Sequence, residues 1–548
     1  MPRTEVLPLD FKHGIDESLE RTMLPTGWVA ACKNWIPEQA GGVRIRWAWN
    51  ATNTNRQGTS ADNHGHDFPS QFHTSGLHYT NLSDGPNDSA GGQWWVTVIY
   101  NGNEGGKAQL WATRGVPNLT NGWNFVAEMS TRAGDPMYDV DFYPVALQTV
   151  AAPPSVGGAW LLISHPEQLR VSYWDGTIPS TITSIPQTQW DGPKTQCRPG
   201  RAAAYYRTHY FIGGSSPSLD NITYRLYFSG LTDPPENDPD PTLWPDGNFI
   251  DIGKGDGSPI QCLQTFQGAL LIGKSAGVYI LTGDGLQTFS VNRLEGTQCA
   301  KGRSIIPTPS GAVILGDHEV FFWNGGDPTR IGMPVQNTYN IDPGGARFGA
   351  YVAGKVWITS LAGNSPMLCF DPASGVWVTE DTGSDNERPT SCDGRTGSIL
   401  GVGLKNTSRV GPMLWREMPY GVRGRDAIPG VSQTYRLDMA DTWLTHERAP
   451  VTLRQLWFRV RRHDYGSVDG PTAPQVTVRL DGADYISYDL NIPPADGTVA
   501  WTRRSFTGKT CKSLGFTMKH GAGAGPTLRG PVYSIEEVLA DVDVDPWR

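Results

Sequence analysis

Long apolar runs are missing from this chain. No stretch approaches the ~18–20 consecutive apolar residues that a membrane-crossing helix needs, so no helical span is expected. The opening Met1-Pro2-Arg3-Thr4-Glu5-Val6-Leu7-Pro8 has no apolar core of the secretory kind, so export by the general route is not expected either. Cysteine is sparse. The seven, at 32, 197, 262, 299, 369, 392 and 511, stand singly with no Cys-x-x-Cys pair. That argues against a zinc ribbon and a disulfide framework, and for small buried apolar groups in a protein made in a reducing cytosol. Positive charge is short as well, with 45 Lys and Arg against 54 Asp and Glu, a net charge of −9. A surface that wraps nucleic acid needs the opposite balance, although an acidic wall lets a passing duplex slide without sticking. Helical periodicity is almost absent; the candidates are Ile15 to Leu24 and Ser534 to Leu539, both short.

What the chain has is glycine (65), proline (42) and tryptophan (20), the composition of many tight turns between packed strands. The fold class is all-β. The strongest pattern is a cassette of a short apolar strand, a small turn and an aromatic-rich strand ending at glycine. Gly268-Ala269-Leu270-Leu271-Ile272-Gly273 precedes Val278-Tyr279-Ile280-Leu281-Thr282-Gly283. Gly311-Ala312-Val313-Ile314-Leu315-Gly316 precedes Val320-Phe321-Phe322-Trp323-Asn324-Gly325. Gly354-Lys355-Val356-Trp357-Ile358-Thr359 precedes Leu368-Cys369-Phe370-Asp371, and an earlier copy runs from Gly158 to Gly176. Gly268, Gly311 and Gly354 are equally spaced, inside the ~40–50-residue period of β-propeller blades.

The expected organisation has four parts. Residues 1–90 form an N-terminal extended arm with a long polar loop from Ala51 to Asp88. Residues 91–420 form a β-propeller of six to eight blades, roughly seven. Residues 421–430 are a linker, and 431–548 alternate with a period of two, as in a β-sandwich of jelly-roll or immunoglobulin-like type.

Few constellations carry chemistry. His64-Gly65-His66, with His73 and His78 downstream, is the nearest approach to a metal-ligand set, and a solvated histidine-rich loop is the plainer reading. Asp541-Val542-Asp543-Val544-Asp545 lines three carboxylates along one strand face. It reads as a charged edge strand ahead of a calcium ladder. No nucleophile elbow, His-Glu-x-x-His or P-loop is present, so no catalytic residue, cofactor or metal is assigned. Arg454, Arg459, Arg461, Arg462, Arg479, Arg503 and Arg504 cluster on the alternating strands. They read as polar decoration of a half-exposed sheet or as a subunit contact, for which Arg454, Arg459, Arg461, Arg503 and Arg504 are the candidates.

Leu9-Asp10-Phe11-Lys12-His13-Gly14-Ile15-Asp16-Glu17, then Leu24-Pro25-Thr26-Gly27, Asn34-Trp35 and Gly41-Gly42-Val43-Arg44-Ile45-Arg46 resemble the opening of tail proteins of short-tailed bacteriophages. The family's Gly-Gly turn is His13-Gly14 here. Val278 to Gly285, Val320 to Gly326 and Cys369 to Trp377 are similar to that family's propeller phrases. The resemblance implies a non-enzymatic virion structural protein, the tail nozzle or hub, made in the host cytoplasm. Its implied partners are further copies in a six-fold ring, the head-to-tail adaptor ring, and tail fibre or needle proteins. Genomic DNA would pass through that ring without sequence-specific binding. The alternative from another class is a carbohydrate-binding or carbohydrate-cleaving propeller at the host surface. Exposed tryptophans on one face and paired carboxylates in a central funnel would mark it.

Overall fold

A computed structural model describes residues 3–20, 23–25, 27–33, 35–37, 43–45, 49–51, 72–82, 92–101, 107–114, 124–129, 146–151, 158–166, 171–176, 199–215, 222–231, 238–241, 243–245, 247–341, 345–360, 366–380, 389–395, 398–403, 414–417, 434–444, 448–462, 473–493, 498–521 and 533–544. Within them the chain is all-β apart from a 3-10 turn, Met333–Val335, and the one-turn helix Gln336–Tyr339. No helix among the described residues is long and apolar enough to cross a membrane.

Seven antiparallel meanders occupy the middle of the chain. Their leading strands are Phe72–Leu82, Ala146–Ala151, Ala202–Tyr206, Ile260–Phe266, Ile305–Thr308, Arg347–Val352 and Pro389–Arg395. In each sheet the strands follow chain order outward from the leader. Consecutive leaders are neighbours, and the last, Pro389–Arg395, is again a neighbour of the first, Phe72–Leu82. The seventh sheet takes its fourth strand from the beginning of the chain: Trp49–Ala51 pairs with Leu414–Glu417 in the register Glu417↔Trp49 to Trp415↔Ala51.

The cassette now has a physical basis. Its first strand is the second strand of a sheet, covered on both faces by neighbouring sheets, so it reads as an unbroken apolar run rather than an alternation. Leu161, Leu162 and Ile163, Leu270, Leu271 and Ile272, and Val313, Ile314 and Leu315 are all fully buried. Separate apolar layers join the sheets in turn. Trp94 meets Trp174 edge-on between the first and second, and Phe266 meets Trp323 between the fourth and fifth. The equally spaced glycines do two different jobs. Gln267-Gly268 and Ala353-Gly354 are two-residue turns with positive φ at both positions, the geometry that suits the strand twist. Gly311 is a strand residue, where a β-carbon would stand 2.5 Å from the Phe322 ring.

Two further sheets pack face to face. One runs Val499–Cys511, Val451–Arg462, Tyr533–Val544, Val43–Ile45, Trp35–Pro37, with Arg3–Leu9 also paired to Tyr533–Val544. The other contains Trp28–Lys33, Thr434–Met439, Ser513–Gly521, Gln475–Leu480 and Ala483–Asp489 in that order. Leu456, Phe458, Val460, Val538 and Ala540 of the first face Val476, Val478, Phe516 and Met518 of the second in one core, with Phe458 edge-on to Phe516.

The N-terminal residues expected as an arm are therefore built into other units. Residues 3–45 supply strands to the face-to-face pair, 49–51 complete the seventh sheet, and 72–82 lead the first. Ser534 to Leu539 is strand rather than helix. A register shift opposite Arg459 and Val460 leaves Glu536 as an extra residue, so the buried Ile535 and Val538 fall three apart and imitate a helical spacing. Asp541 to Val544 is not an edge either, since it has neighbours on both sides.

The two halves of the molecule are joined by backbone. Val376–Glu380, the outermost strand of the sixth sheet, pairs in parallel with Gly14–Ile15 and, at Lys33↔Thr379, with Trp28–Lys33. The Thr379 hydroxyl donates to the Cys32 carbonyl, and the Glu17 carboxylate accepts from the backbone and hydroxyl of Thr338. One apolar core runs from Val313 and Trp357 through Trp377 to Phe458 and Met518.

Arg479, read from sequence as part of an outward basic face, is only 1% exposed. It stays in regular alternation, on the face opposite Val476 and Val478, and is buried there by Asp438, Asp441 and Thr517. Its Nη1 donates to Asp438 Oδ1 at 2.7 Å and its Nε to Asp441 Oδ1 at 3.1 Å, while the Met439 carbonyl and Thr517 hydroxyl accept two more of its protons. Arg479→Ala would take the guanidinium from two buried carboxylates, leaving Asp438 with Arg436 alone as its ion-pair partner. The expected loss is about 3–5 kcal/mol in a denaturant titration.

His209 is a second buried polar group. Its Nδ1 donates to the Ser229 carbonyl at 2.7 Å within a ring of Phe211, Phe228 and Phe289. Burial lowers its pKa against the opposing pull of that hydrogen bond. The unfolded chain then takes up a proton near ~6.5, where the folded chain does not. Stability contributed here is full above that range and lost as pH falls through it. Melting temperature should fall more for the unaltered chain than for His209→Gln between about pH 7.5 and 5.

Candidate functional site

Where the leading strands converge they enclose a cavity of about 500 Å³. Six of the seven leaders line it, through His78, Gln148, Tyr205, Cys262, Ile306 and Phe348 among others. Tyr205 is 42% exposed, so the cavity opens to solvent at that ring.

Two arginines within two residues of the start of a leading strand point the lining toward cationic chemistry. Arg201 is buried, with Nη1 donating to Gln261 Oε1 at 3.1 Å and Nε to the Gly214 carbonyl at 3.3 Å. Arg303 lies against His78, Nη2 to Nδ1 at 3.4 Å. A guanidinium can only donate, so Nδ1 accepts and the His78 proton sits on Nε2, facing Thr149 Oγ1 at 3.3 Å. Thr149 in turn meets Thr80 at 2.8 Å, tying the first two leaders together. Gln148, Gln261 and Gln264 complete the polar lining. Among the described lining residues there is no Asp or Glu. The arrangement suits a small anionic or neutral polar guest, and glycoside cleavage by paired carboxylates finds no support there.

The sequence candidates fall in several places. His64 and His66 lie outside the described residues, and His73 is in the strand Phe72–Leu82 opposite Tyr100. His78 is buried with both ring nitrogens engaged, by Arg303 and Thr149, which leaves no lone pair for a metal. Among the described residues no three His, Cys, Asp or Glu side chains gather as a metal site requires. The polar loop of Ala51 to Asp88 lies largely outside the described residues, and so does part of the Pro/Asp-rich loop of Asp233 to Asp246.

Three of the five contact arginines are held within the chain. Arg454 pairs with Asp543, Arg459 with Glu536 at 3.2 Å, and Arg461 with the same Glu536. Arg454 and Glu536 are the extra residues at two register shifts, so each bulge turns a charge outward onto a partner. Asp543 also accepts from the Thr4 hydroxyl at 3.0 Å, which makes this aspartate an ion-pair and hydrogen-bond partner of its neighbouring strands. Arg503 and Arg504 lie instead over the Trp457 and Tyr488 rings, at 5.6 and 5.2 Å from their centroids. Trp501 (44% exposed) and Val499 share the face of Arg503 and form with it an aromatic and basic strip along the outermost strand of the sheet, whereas Arg504 is on the opposite face.

Sequence reasoning missed Arg201 and Arg303. A signal was present: Gly200-Arg201 and Gly302-Arg303 stand just ahead of an apolar leading strand, and Gly345-Ala346-Arg347 brings an arginine to the first position of another.

No family model matches the chain, and no curated protein matches it. Solved structures that match include a puromycin-hydrolyzing peptidase of Mycobacterium tuberculosis, at 12% identity and a TM-score of 0.34. The match covers 66% of this chain and 58% of that protein, so the chain spans less than two thirds of it. At that score the likeness carries no argument about fold or activity.

Arg459 is 42% exposed, and its ion pair is screened by solvent. Arg459→Ala is expected to change stability by less than about 1 kcal/mol in a denaturant titration.

Proposed function

We propose that the seven meanders are the blades of a seven-bladed β-propeller and that the chain is the tail nozzle, or hub, subunit of a short-tailed bacteriophage. The observation that supports the propeller most directly is the cyclic neighbourhood of the leading strands, together with the seventh sheet completed by Trp49–Ala51. Such a unit protects its strand edges and keeps its shape under load.

The junction with the face-to-face sheets supports the structural role. Parallel pairing at Gly14↔Trp377 and one continuous core make two units behave as one body, as a ring component under internal pressure requires. A closed ring of identical subunits needs heterologous side contacts. The strip of Val499, Trp501 and Arg503 offers one half of such a contact. In this reading the protein acts in the virion tail without catalysis, as a homo-oligomer with six-fold symmetry. It sits below the adaptor ring, carries fibres or a needle, and lets DNA pass a net-negative wall.

A second reading, a sugar-binding propeller at the host surface, draws on the cavity with Arg201, Arg303 and three glutamines, open at an exposed tyrosine.

Negative-stain imaging of the purified protein and antibody labelling of the virion decide between them. Six-fold rings and label at the tail tip are expected. Single propellers with no virion label, together with binding on a glycan array, would move the assignment to the second reading. Arg503→Glu should shift the rings toward smaller species in size-exclusion chromatography, with circular dichroism unchanged.

A further inference from the structure

Cys262 and Cys299 are far apart in the chain but share one space. Cys262 is the leading-strand residue directly opposite Gly273. Cys299, in the connection to the fifth sheet, docks its backbone N–H on the Lys274 carbonyl and lays its side chain over the same glycine. A β-carbon at Gly273 would stand 2.2 Å from the Cys299 sulfur, 2.8 Å from the Cys299 β-carbon and 3.4 Å from the Cys262 β-carbon. The missing side chain is therefore what lets the two thiols meet. It also bounds their β-carbons to within about 6 Å of each other, an upper limit that includes the ~3.5–4.5 Å a disulfide requires.

The two sulfurs are not equivalent. Cys262 lines the cavity that opens at Tyr205, whereas Cys299 is fully buried behind it. The Cys299 thiol donates to the Ala300 carbonyl at 3.6 Å and lies against Cys262, which the backbone N–H groups of Ser304 and Ile305 and the Arg303 charge also face. Together they draw the Cys262 pKa down despite burial. The same contact, with burial, pushes Cys299 up. A favoured thiolate on the accessible side with a second thiol behind it is the arrangement of an attacking and a resolving cysteine.

We propose that Cys262 and Cys299 form a peroxide-reactive thiol pair, reached through the central cavity, that closes into a disulfide between the fourth sheet and the entry to the fifth. The Cys262 thiolate attacks one peroxide oxygen, the O–O bond breaks, and the departing hydroxide is protonated to water, leaving a sulfenic acid. Cys299 then loses its proton and attacks the Cys262 sulfur. The S–O bond breaks and the hydroxyl leaves as a second water. Two thiols are oxidised by two electrons and one peroxide is reduced to two waters.

The test uses the full folded chain treated with hydrogen peroxide, quenched by alkylation in denaturant and mapped by mass spectrometry. The thiol count should fall from seven to five, with a single crosslinked peptide joining Cys262 to Cys299 and a melting temperature several degrees higher. Cys299→Ser should leave a sulfenic acid at Cys262 that dimedone traps, and Cys262→Ser should leave Cys299 unreacted. Seven free thiols after treatment, oxidation that falls first on other cysteines, or Cys262 over-oxidised beside an intact Cys299 would each overturn the proposal. Mapping of the unaltered chain decides it even if a variant fails to fold.

Discussion

Everything in this molecule depends on the two ends of the chain returning to its middle. The strands within residues 3–51 have no sheet of their own. They pair with Tyr533–Val544, with Thr434–Met439, with Val376–Glu380 and with Leu414–Glu417. Backbone groups left unpaired in a buried strand are costly, so each of these pairings obliges its partner to be in place. The seventh sheet is completed only by Trp49–Ala51, and the face-to-face sheets are joined to the sixth sheet only where Gly14–Ile15 and Trp28–Lys33 supply the missing rows among the described residues. Remove the first fifty residues and four sheets lose strand partners at once.

Polar groups refine what the apolar layers hold. Arg479 is anchored by two aspartates at the heart of one sheet. On the opposite sheet two bulges present Arg454 and Glu536 to partners on adjoining strands. A buried ion pair contributes little net stability compared with apolar residues of equal size, but it penalises every misregistered pairing of the strands that carry it. That suits a sheet system whose rows come from distant parts of the chain.

How much of this was legible in the sequence follows from the range of each signal. The apolar runs around Leu270 and Ile314 were legible, because a strand covered on both faces needs no partner's identity to read as buried. The period was legible although its glycines serve different ends, a turn at 268 and 354 and a tight approach at 311. Alternation failed wherever a bulge intervened, as at Ile535 and Val538, because one extra residue shifts every later side chain to the other face. The role of residues 3–51 was not legible at all, since their partners lie hundreds of positions away and short strands carry no mark of where they pair. The cavity shared that fate. Its described lining is drawn from six strands far apart in the chain, and only the recurring arginine at the start of an apolar strand hinted at it.

The completion of the seventh sheet by Trp49–Ala51 has a temporal consequence. These residues leave the ribosome long before Leu414–Glu417 exists, so they must wait, unpaired, while six sheets form behind them. Loop-closure entropy and high contact order make that final pairing slow relative to local meander formation. The nascent chain would thus carry Leu414–Glu417 with one side unpaired, an aggregation-prone moment, until Trp49–Ala51 joins it. Cellular chaperoning, if the chain needs it, would be concentrated on that interval rather than on any single sheet.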